Sequence, residues 1–409
     1  MKRGQGANWV VRLAIVVSTV AVASASLAQS EPPASAAHDL HEAVEIAVRL
    51  SPDAASLPAL KDQAGALARA ARSPFAGPPV AAGDVLTRGS GSIEQEVSVS
   101  AGLRWPGERG AIRSWAGSAE RAAGSGFAAA QLRIAGEVRD AWWALADARA
   151  MVAVNRDQVT IAMTTATQVA KLEAAGEESR RDLLLARSEA AAAVARLGQA
   201  EAELARAEAA YAALAGTPPN ELPPEILARM PDIEANPALR AANDRAAAAD
   251  ARARTLSYGA RIRPEGQIGA RRERVGPGQG SATSLLLGVR VPLGRDQTAV
   301  ADAALARSEA LAAGAEATRL RIRLVAERAA AQRRLESART ALDAAEARQS
   351  ALAQSFALTQ KGQREGEIGF IEALRARQTL SEAERDLAAA KVAYDAAISA
   401  FNQAMGVLP

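Results

Sequence analysis

The sequence predicts a mainly α-helical fold built from a duplicated unit, in which each copy combines two long antiparallel coiled-coil helices with two β-strands. Three observations lead to this prediction. Alanine, leucine, arginine and glutamate dominate a 409-residue chain that is only 3% aromatic, a composition typical of long helices. Segments of the first half recur in the second half at an offset of about 190 residues. Leucine and aromatic residues recur at sevenfold spacing in both copies, as coiled coils require.

The first residues have the pattern of a secretory signal peptide. A basic start precedes a mostly apolar run from Leu13 to Ala25, and "SLA" before Gln29 supplies a small-x-small cleavage site. We therefore expect a signal peptide over residues 1–28. The apolar run is too short to cross a bilayer comfortably, and no later run of about 18 apolar residues follows. An exported chain of this kind is either soluble in the periplasm or an outer-membrane β-barrel.

Charge and composition argue against a nucleic-acid partner and against a metal centre. The formal net charge is only +3 despite a pI near 9.5, and arginine and glutamate alternate along the helix faces, which indicates solvated helices. The chain has no cysteine. His38 and His41 have a spacing that can bind a metal, but no third histidine accompanies them. We therefore predict no metal site.

No catalytic or cofactor-binding residue is expected either. The glycines of "VGPGQG", Val275 to Gly280, are spaced like fragments of a nucleotide-binding motif. They lack the Lys-Ser/Thr pair and a following helix, so a hairpin loop is the better interpretation. The chain is therefore predicted not to be an enzyme.

Both copies have the same order of elements: a short helix, two extended segments, a very long helix, a glycine turn and a second long helix. The first repeat is expected over residues 29–225, with a strand pair at 80–105. The second is expected over residues 226–409, with a strand pair at 261–291. The predicted strands are Val80–Thr87, Ile93–Trp105, Arg261–Arg274 and Ser281–Val291.

The strand prediction depends on alternation of apolar and polar residues. In "IEQEVSVSAGLRW", Val97, Val99 and Leu103 fall on one face and Ser98 and Ser100 on the other. Four strands from one chain leave two bare edges. Unpaired backbone groups in a bilayer cost several kcal/mol each, so a membrane sheet has to close, and closure here requires more than one chain.

The helix prediction depends on sevenfold spacing and on the absence of proline. From Gly107 to about Ala174 no proline occurs, and a helix of that length is on the order of 100 Å long. Sevenfold spacing predicts an apolar seam held against a partner helix. The seam residues are Leu197, Leu204 and Tyr211 in the first copy and Leu380, Leu387, Tyr394 and Phe401 in the second.

Each long helix stops at a short polar turn, near residue 176 in "AGEESRRDLLLAR" and near residue 366 in "GEIGFIEALRAR". Glycine adopts left-handed dihedral angles without steric cost, so both turns are expected to reverse the chain. Charged residues surround both turns and suit contact with a protein partner, although they would also cap the following helices. The candidate site residues at these tips are Gly176, Glu177, Arg181, Asp182, Gly366, Glu367 and Glu372.

The repeated "EANPALRAA" helix, strand pair, long helix and tip turn resemble the TolC-type outer-membrane efflux family over essentially the whole mature chain. "RWPGERGA" and "GEIGFIEALRARQTL" look most like its cobalt–zinc–cadmium, heavy-metal branch. The polar, glycine-rich first strand pair around "AAGDVLTRGSGS" departs from the family pattern.

The resemblance implies a homotrimer with a 12-strand barrel in outer-membrane lipid and an α-helical tunnel in the periplasm. It implies a passive conduit, the outer-membrane channel component of a tripartite efflux system, which exports heavy-metal cations with a periplasmic adaptor (membrane fusion) protein and an inner-membrane pump. Two alternatives stay open: a drug or small-molecule conduit of the same family, and a periplasmic coiled-coil adaptor protein.

Overall fold

The computed structural model describes residues 39–87, 92–274, 276 and 280–409. The predicted signal peptide, His38 and most of the Val275–Gly280 loop lie outside the described residues. The helices of the described part are α1 (Leu40–Leu50), α2 (Pro52–Ala70), α3 (Glu108–Ala175), α4 (Arg180–Ala215), α5 (Pro237–Gly259), α6 (Gln297–Arg364) and α7 (Phe370–Met405). The strands are β1 (Val80–Thr87), β2 (Ile93–Gly102), β3 (Glu265–Arg274) and β4 (Ser281–Arg290).

The short helices α2 and α5 begin in the same way. Ser51 caps α2 by accepting a hydrogen bond from the Ala54 amide, and Asn236 caps α5 through the Ala238 amide. A proline follows each cap at the first helical position, where its missing N–H costs nothing. The "SP" and "NP" pairs of the two halves are therefore matching helix starts.

The four strands form one antiparallel sheet in the order β1-β2-β3-β4, so the two halves of the chain meet at the β2–β3 pair. Three strands are shorter than the sequence predicts, and the smallest difference is in β4, which ends at Arg290 rather than at Val291. β2 ends at Gly102 rather than at Trp105: the Leu103 amide still donates to the Pro264 carbonyl, but Pro264 has no N–H to donate in return. β3 begins at Glu265 rather than at Arg261, since Pro264 has no N–H to donate to the ladder.

The long helices have equal lengths in the two halves, 68 residues in α3 and α6 and 36 residues in α4 and α7. Each long helix packs along its own return helix, and α5 lies against both α3 and α6. Helix α3 also contacts α1, α2 and α7. Within the described residues, no helix has a stretch long and apolar enough to cross a bilayer.

The seam of α4 differs in one respect from the predicted heptad. Tyr211 is fully buried, whereas Leu197 and Leu204 are only half-buried. A second sevenfold series on the same helix is more deeply buried, and it consists of alanine. Because alanine is small, this series lets the backbones of α3 and α4 approach closely. The series is Ala186, Ala193, Ala200 and Ala207.

The largest hydrophobic core lies at the middle of α3, where the C-terminal end of α4 packs against it. Trp142 and Leu145 of α3 are fully buried there, and the ring centroids of Trp142 and Tyr211 are 6.1 Å apart. The apolar side of α1 covers this core with Leu40, Val44 and neighbouring residues. The core thus fixes the middle of α3 and leaves the sheet and the glycine turns at opposite ends of the molecule.

Candidate functional site: the sheet and the helix-reversal tips

The sheet sorts its side chains into a polar face and an apolar face, because successive residues of a strand point to opposite sides. Register places Asp84, Glu96 and Arg271 side by side across three strands, and Arg271 also faces Ser284. The polar face carries five carboxylates and two guanidinium groups: Asp84, Glu94, Glu96, Glu265, Glu273, Arg271 and Arg290.

The apolar face is the more exposed of the two. Val97 is 64% exposed and Leu287 is 81% exposed, whereas the side chains of Glu94 and Glu96 are only 14% and 18% exposed. A sheet in water places its apolar face against a core, so this arrangement is inverted. The exposed apolar residues of this face are Val85, Ile93, Val97, Val99, Ile268, Leu285, Leu287 and Val289.

Arg271 contacts two of the carboxylates on the polar face and offsets one of their two negative charges. Its guanidinium lies 2.9 Å from a Glu94 oxygen and 2.8 Å from a Glu96 oxygen. Charge-assisted hydrogen bonds of this kind fix the side chains in one arrangement. Three further carboxylates remain, of which Glu265 approaches Arg290 at 3.4 Å. The polar face is therefore acidic on balance.

A buried carboxylate connects the sheet to α3. Glu108 is 1% exposed; it accepts hydrogen bonds from Arg263 at 2.9 Å and from the Trp105 amide at 3.0 Å. The neighbouring Arg109 donates to the carbonyls of Ala71 and Arg72 at the end of α2. The "RWPGERGA" segment is thus the rigid joint between strand and helix.

The first tip, residues 176–179, reverses the chain between α3 and α4. Gly176 has φ +81°; its amide donates to Glu173 and the Glu177 amide donates to Leu172. This 6→1 and 5→2 pattern is a Schellman motif, which requires the left-handed conformation at glycine. Ser179 then caps α4 by accepting from the Asp182 amide at 3.1 Å.

The second tip has the same backbone but a different cap. Gly366 has φ +79°, and the amides of Gly366 and Glu367 donate to Gln363 and Gly362. Helix α7 then begins after Gly369, which supplies no side-chain cap. A Cβ at Gly362 would lie 2.8 Å from the end of the Ile368 side chain, so this turn packs tightly against its own helix.

The candidate tip residues lie where the sequence places them, and most of their side chains are exposed. Glu177, Arg181, Glu367 and Glu372 are exposed, and Asp182 is half-buried beside Ser179. Glu178, which the sequence analysis passed over, lies beside Asp182. Burial and the Asp182 carboxyl, by charge and by hydrogen bond, raise the pKa of Glu178 above its ordinary value.

An apolar contact brings the two tips together. Phe370, the first residue of α7, packs against Val169, Leu183 and Ala186 of the first pair of helices. Beside this contact is a cavity of about 400 Å³ whose wall includes Phe356, Phe370, Leu374, Arg196, Arg377 and Gln378. Periodicity alone does not indicate that a helix start from one repeat inserts between the helices of the other.

Hydrogen bonds also join the two pairs of helices above the tips. Arg385 of α7 donates to the Gln158 side chain at 2.8 Å, and Gln158 donates to the Ser381 carbonyl at 2.9 Å. Gln378 donates to Glu189 of α4 at 2.9 Å. The sequence alone does not reveal these pairs, because polar residues more than 180 positions apart give no local signal.

The described residues contain no group of three or more histidine, cysteine or acidic side chains placed to hold a metal ion. His41 instead contacts the Pro409 carbonyl at 2.7 Å and lies 3.4 Å from Glu45. His38 lies outside the described part of the chain.

No protein-family model and no curated protein matches the sequence. Solved structures do match. VceC of Vibrio cholerae, an outer-membrane protein, is 19% identical with a TM-score of 0.71, over 90% of this chain and 96% of that one. CusC, described in terms of transmembrane channel formation, is 15% identical with a TM-score of 0.73, over 93% and 96%. The open MtrE outer-membrane channel of Neisseria gonorrhoeae is 17% identical with a TM-score of 0.69, over 90% and 89%. The chain therefore has the fold of these outer-membrane channels.

Proposed function

We propose that this chain is the outer-membrane channel component of a tripartite efflux system. It is a passive conduit that exports substrates, heavy-metal cations in the first place, from the periplasm to the exterior. Residues 1–28 serve as its signal peptide, and residues 29–225 and 226–409 are its two structural repeats. The likeness to outer-membrane channels over about nine-tenths of the chain supports this function.

The observation that carries the proposal is the inverted sheet. An apolar face as exposed as that of β4, with Leu285, Leu287 and Val289, is costly in water and favourable in lipid. The opposite face, with Glu94, Glu96 and Arg271, suits a water-filled channel. A sheet with these two faces fits the wall of a membrane pore.

The strand order supports assembly from several copies. β1 and β4 are the two edges of the sheet, and unpaired edges in a bilayer are costly. Pairing of β4 with β1 of the next copy removes both. Three copies give a 12-strand barrel and, from the long helices, a tunnel in the periplasm. Homotrimerisation is thus part of the proposal.

The charge of the polar face favours cations as substrates. Asp84, Glu265 and Glu273 add to the carboxylates already paired with Arg271, and rings of carboxylates raise the local concentration of cations in a pore. No fixed metal ligand is needed for passage through a wide channel.

The tips are the proposed contact with a periplasmic adaptor protein, which couples the channel to an inner-membrane pump. Glu177, Arg181, Glu367 and Glu372 present exposed charges at the end of the molecule farthest from the sheet. An adaptor itself would use a single hairpin, whereas this chain contributes two pairs of long helices to one sheet.

Localisation and assembly test the proposal first. Membrane fractionation should place the mature chain, beginning at Gln29, in the outer membrane, and gels of unheated samples should show a heat-sensitive trimer. A tag inserted at Gly278 should be accessible on intact cells. A monomer in the soluble periplasm would exclude the conduit.

The tips are tested with two variants in cells that depend on the system for metal resistance. Gly366→Val replaces a residue with φ +79°, and Arg181→Glu reverses an exposed charge. Both should abolish resistance while the trimer still forms. Gly198→Ala, an exposed position in the middle of α4, is the control. Full resistance in both variants would contradict adaptor contact at the tips.

Substrate preference is tested by conductance in planar bilayers. The wild type should favour cations, and Asp84→Asn combined with Glu273→Gln should reduce the cation-to-anion permeability ratio severalfold, because two carboxylates leave the channel wall. Asp62→Asn, an exposed carboxylate on α2, should change nothing. Anion preference in the wild type would contradict a cation conduit.

A further inference from the structure

The apolar face of the sheet carries two arginines at one end. Arg272 and Arg274 alternate with Arg271 and Glu273 along β3, so they point to the apolar side. Both side chains are exposed. Within the described residues they are the only charged groups on that face, and the strand positions below them on the same face are Ala270, Ile268 and Gly266.

Among the residues that the structure describes, these arginines have no acidic partner, unlike Arg271 on the polar face. Arg271 is held by Glu94 and Glu96, while Arg272 lies opposite Gln95 and Thr283 in the ladder. Arg272 donates one hydrogen bond, from Nε to the Ser281 hydroxyl at 3.1 Å. No hydrogen bond or ion pair joins Arg274 to another described residue. Two positive charges on this face are therefore available to an external anion.

The neighbouring side chains are hydrogen-bond donors of a kind that also suits a phosphate group. Arg274 lies opposite Ile93 and Ser281, and Thr87 follows on β1 opposite Ile93. Guanidinium groups bind phosphate oxygens in a bidentate way, and hydroxyl and amide groups add further donors. Arginine, amide and hydroxyl groups thus form a short polar rim above the apolar residues.

The position of this rim relative to the helices determines which membrane leaflet it contacts. This step rests on the proposed function. β3 enters the sheet from the helical side at Glu265 and reaches the β3–β4 connection at Arg274. If the helices extend into the periplasm, the connection faces outward. Arg272 and Arg274 then lie at the headgroup level of the outer leaflet.

From this geometry we infer that Arg272 and Arg274 bind the phosphate groups of a phosphorylated outer-leaflet glycolipid, with its acyl chains against the apolar face below. Two unpaired guanidinium groups directly above an exposed apolar surface match an amphiphile with an anionic head. Free phosphate has no apolar part to use that surface, so a lipid is the expected ligand.

The test compares lipid binding by detergent-solubilised protein with the probes diphosphoryl lipid A, fully dephosphorylated lipid A and inorganic phosphate. Wild-type protein should bind diphosphoryl lipid A on the order of tenfold more tightly than the Arg272→Gln/Arg274→Gln variant does. The control Arg69→Gln/Arg245→Gln removes the same charge from exposed positions on α2 and α5 and should stay within about twofold of wild type. Inorganic phosphate should not compete at equal concentration.

Three results would overturn the inference. They are unchanged lipid affinity in the Arg272/Arg274 variant, equal affinity of the wild type for dephosphorylated lipid, and wild-type affinity that does not fall as salt rises from about 50 mM to about 500 mM. The salt series uses wild-type protein alone, so it decides even if the variant does not assemble. Fractionation of the wild type separately shows whether the outer-membrane proposal itself has failed.

Discussion

Helices α3 and α6 begin at equivalent points of the two repeats and have the same length of 68 residues, yet their middle sections have opposite chemistry. When the helix starts are aligned, core residues of α3 correspond to charged or small residues of α6. Ile134, Val138, Trp142 and Leu145 of α3 correspond to Arg323, Glu327, Ala331 and Arg334 of α6. The two helices thus have the same length, whereas the chain's main core packs around α3.

The two helices also differ in the apolar side chains that other helices leave exposed. Helix α1 and the return helix α4 cover the middle of α3. Helix α6 leaves apolar side chains exposed along its length, namely Leu305, Leu311, Ile322, Val325 and Leu358. The main core of the single chain therefore lies in the first repeat, and the long helix of the second repeat leaves apolar surface exposed.

Both helices carry a buried arginine. Arg139 and Arg328 occupy equivalent positions and are 2% and 9% exposed. Arg139 pairs with Glu225 at 2.7 Å, whereas Arg328 donates to the carbonyls of Pro231, Asp232 and Met405. Burial lowers the pKa of Arg328, and Asp232 opposes that effect. Both arginines anchor the extended segment that connects the repeats.

Trp142→Ala should have the largest effect, because it leaves a cavity beside Tyr211 in the main core. We expect a loss of about 3–5 kcal/mol in the free energy of unfolding. At the equivalent position of the second repeat, Ala331→Gly should lower the free energy of unfolding by about 1 kcal/mol. Denaturant unfolding of both variants measures this, and equal losses would refute the asymmetry between repeats.

Glu225→Gln should cost about 3 kcal/mol, since it leaves the buried Arg139 guanidinium without its carboxylate. The matched change near Arg328 is Asp232→Asn. Arg328 uses the backbone carbonyl of residue 232, so that variant should lose less than about 1 kcal/mol. Thermal unfolding compares the pair. A greater loss in Asp232→Asn would mean that the two arginines work alike.

Changes at the N-terminal caps of α4 and α7 should have smaller effects on stability. Ser179→Ala removes the hydroxyl that accepts from Asp182 and should cost about 1 kcal/mol. Gly369→Ser supplies the missing cap at a residue with φ −75° and should gain a few tenths of a kcal/mol. Hydrogen exchange of the first turns of α4 and α7 reports both. Loss of protection in Gly369→Ser would contradict the cap comparison.

The smallest effect should be a pH dependence of the local stability of the first tip. Because the pKa of Glu178 is raised in the folded chain, its protonated form favours the folded tip, and local stability falls as pH rises from the ordinary carboxyl range towards that raised pKa. Glu178→Gln should remove this slope. Hydrogen exchange at acidic and neutral pH measures it, with the second tip as internal control.

The sequence was sufficient for the helical fold and the four-stranded sheet, because heptads and alternation are local patterns. It did not reveal that Ala186 and Ala193 are more buried than Leu197, since alanine is too common here to stand out. Nor did alternation in β2 indicate that the face with Val97 is the exposed one and that Glu96 lies on the more covered face. That assignment depends on what surrounds the sheet.

Some residues at the tips could likewise be predicted from the sequence, and others could not. Gly176 and Gly366 were predictable because a left-handed helix end strongly favours glycine. Phe370 was not, since its partners Val169 and Leu183 belong to the other repeat. The pairing of Arg139 with Glu225 likewise spans 86 residues. Long-range pairs of this kind become visible only once the chain is folded.

Helix α3 continues far beyond its buried arginine, so a small rotation there corresponds to a large displacement at the tip. From Arg139 to Ala175 the helix advances roughly 54 Å at about 1.5 Å per residue. A rotation of about 5° at the anchored point therefore displaces the tip by about 5 Å without breaking a backbone hydrogen bond of the helix. Because Gln158 and Val169 tie α3 to α7 beyond the arginine, a rotation about Glu225 and Gln403, which hold it, would have to carry α7 along with α3.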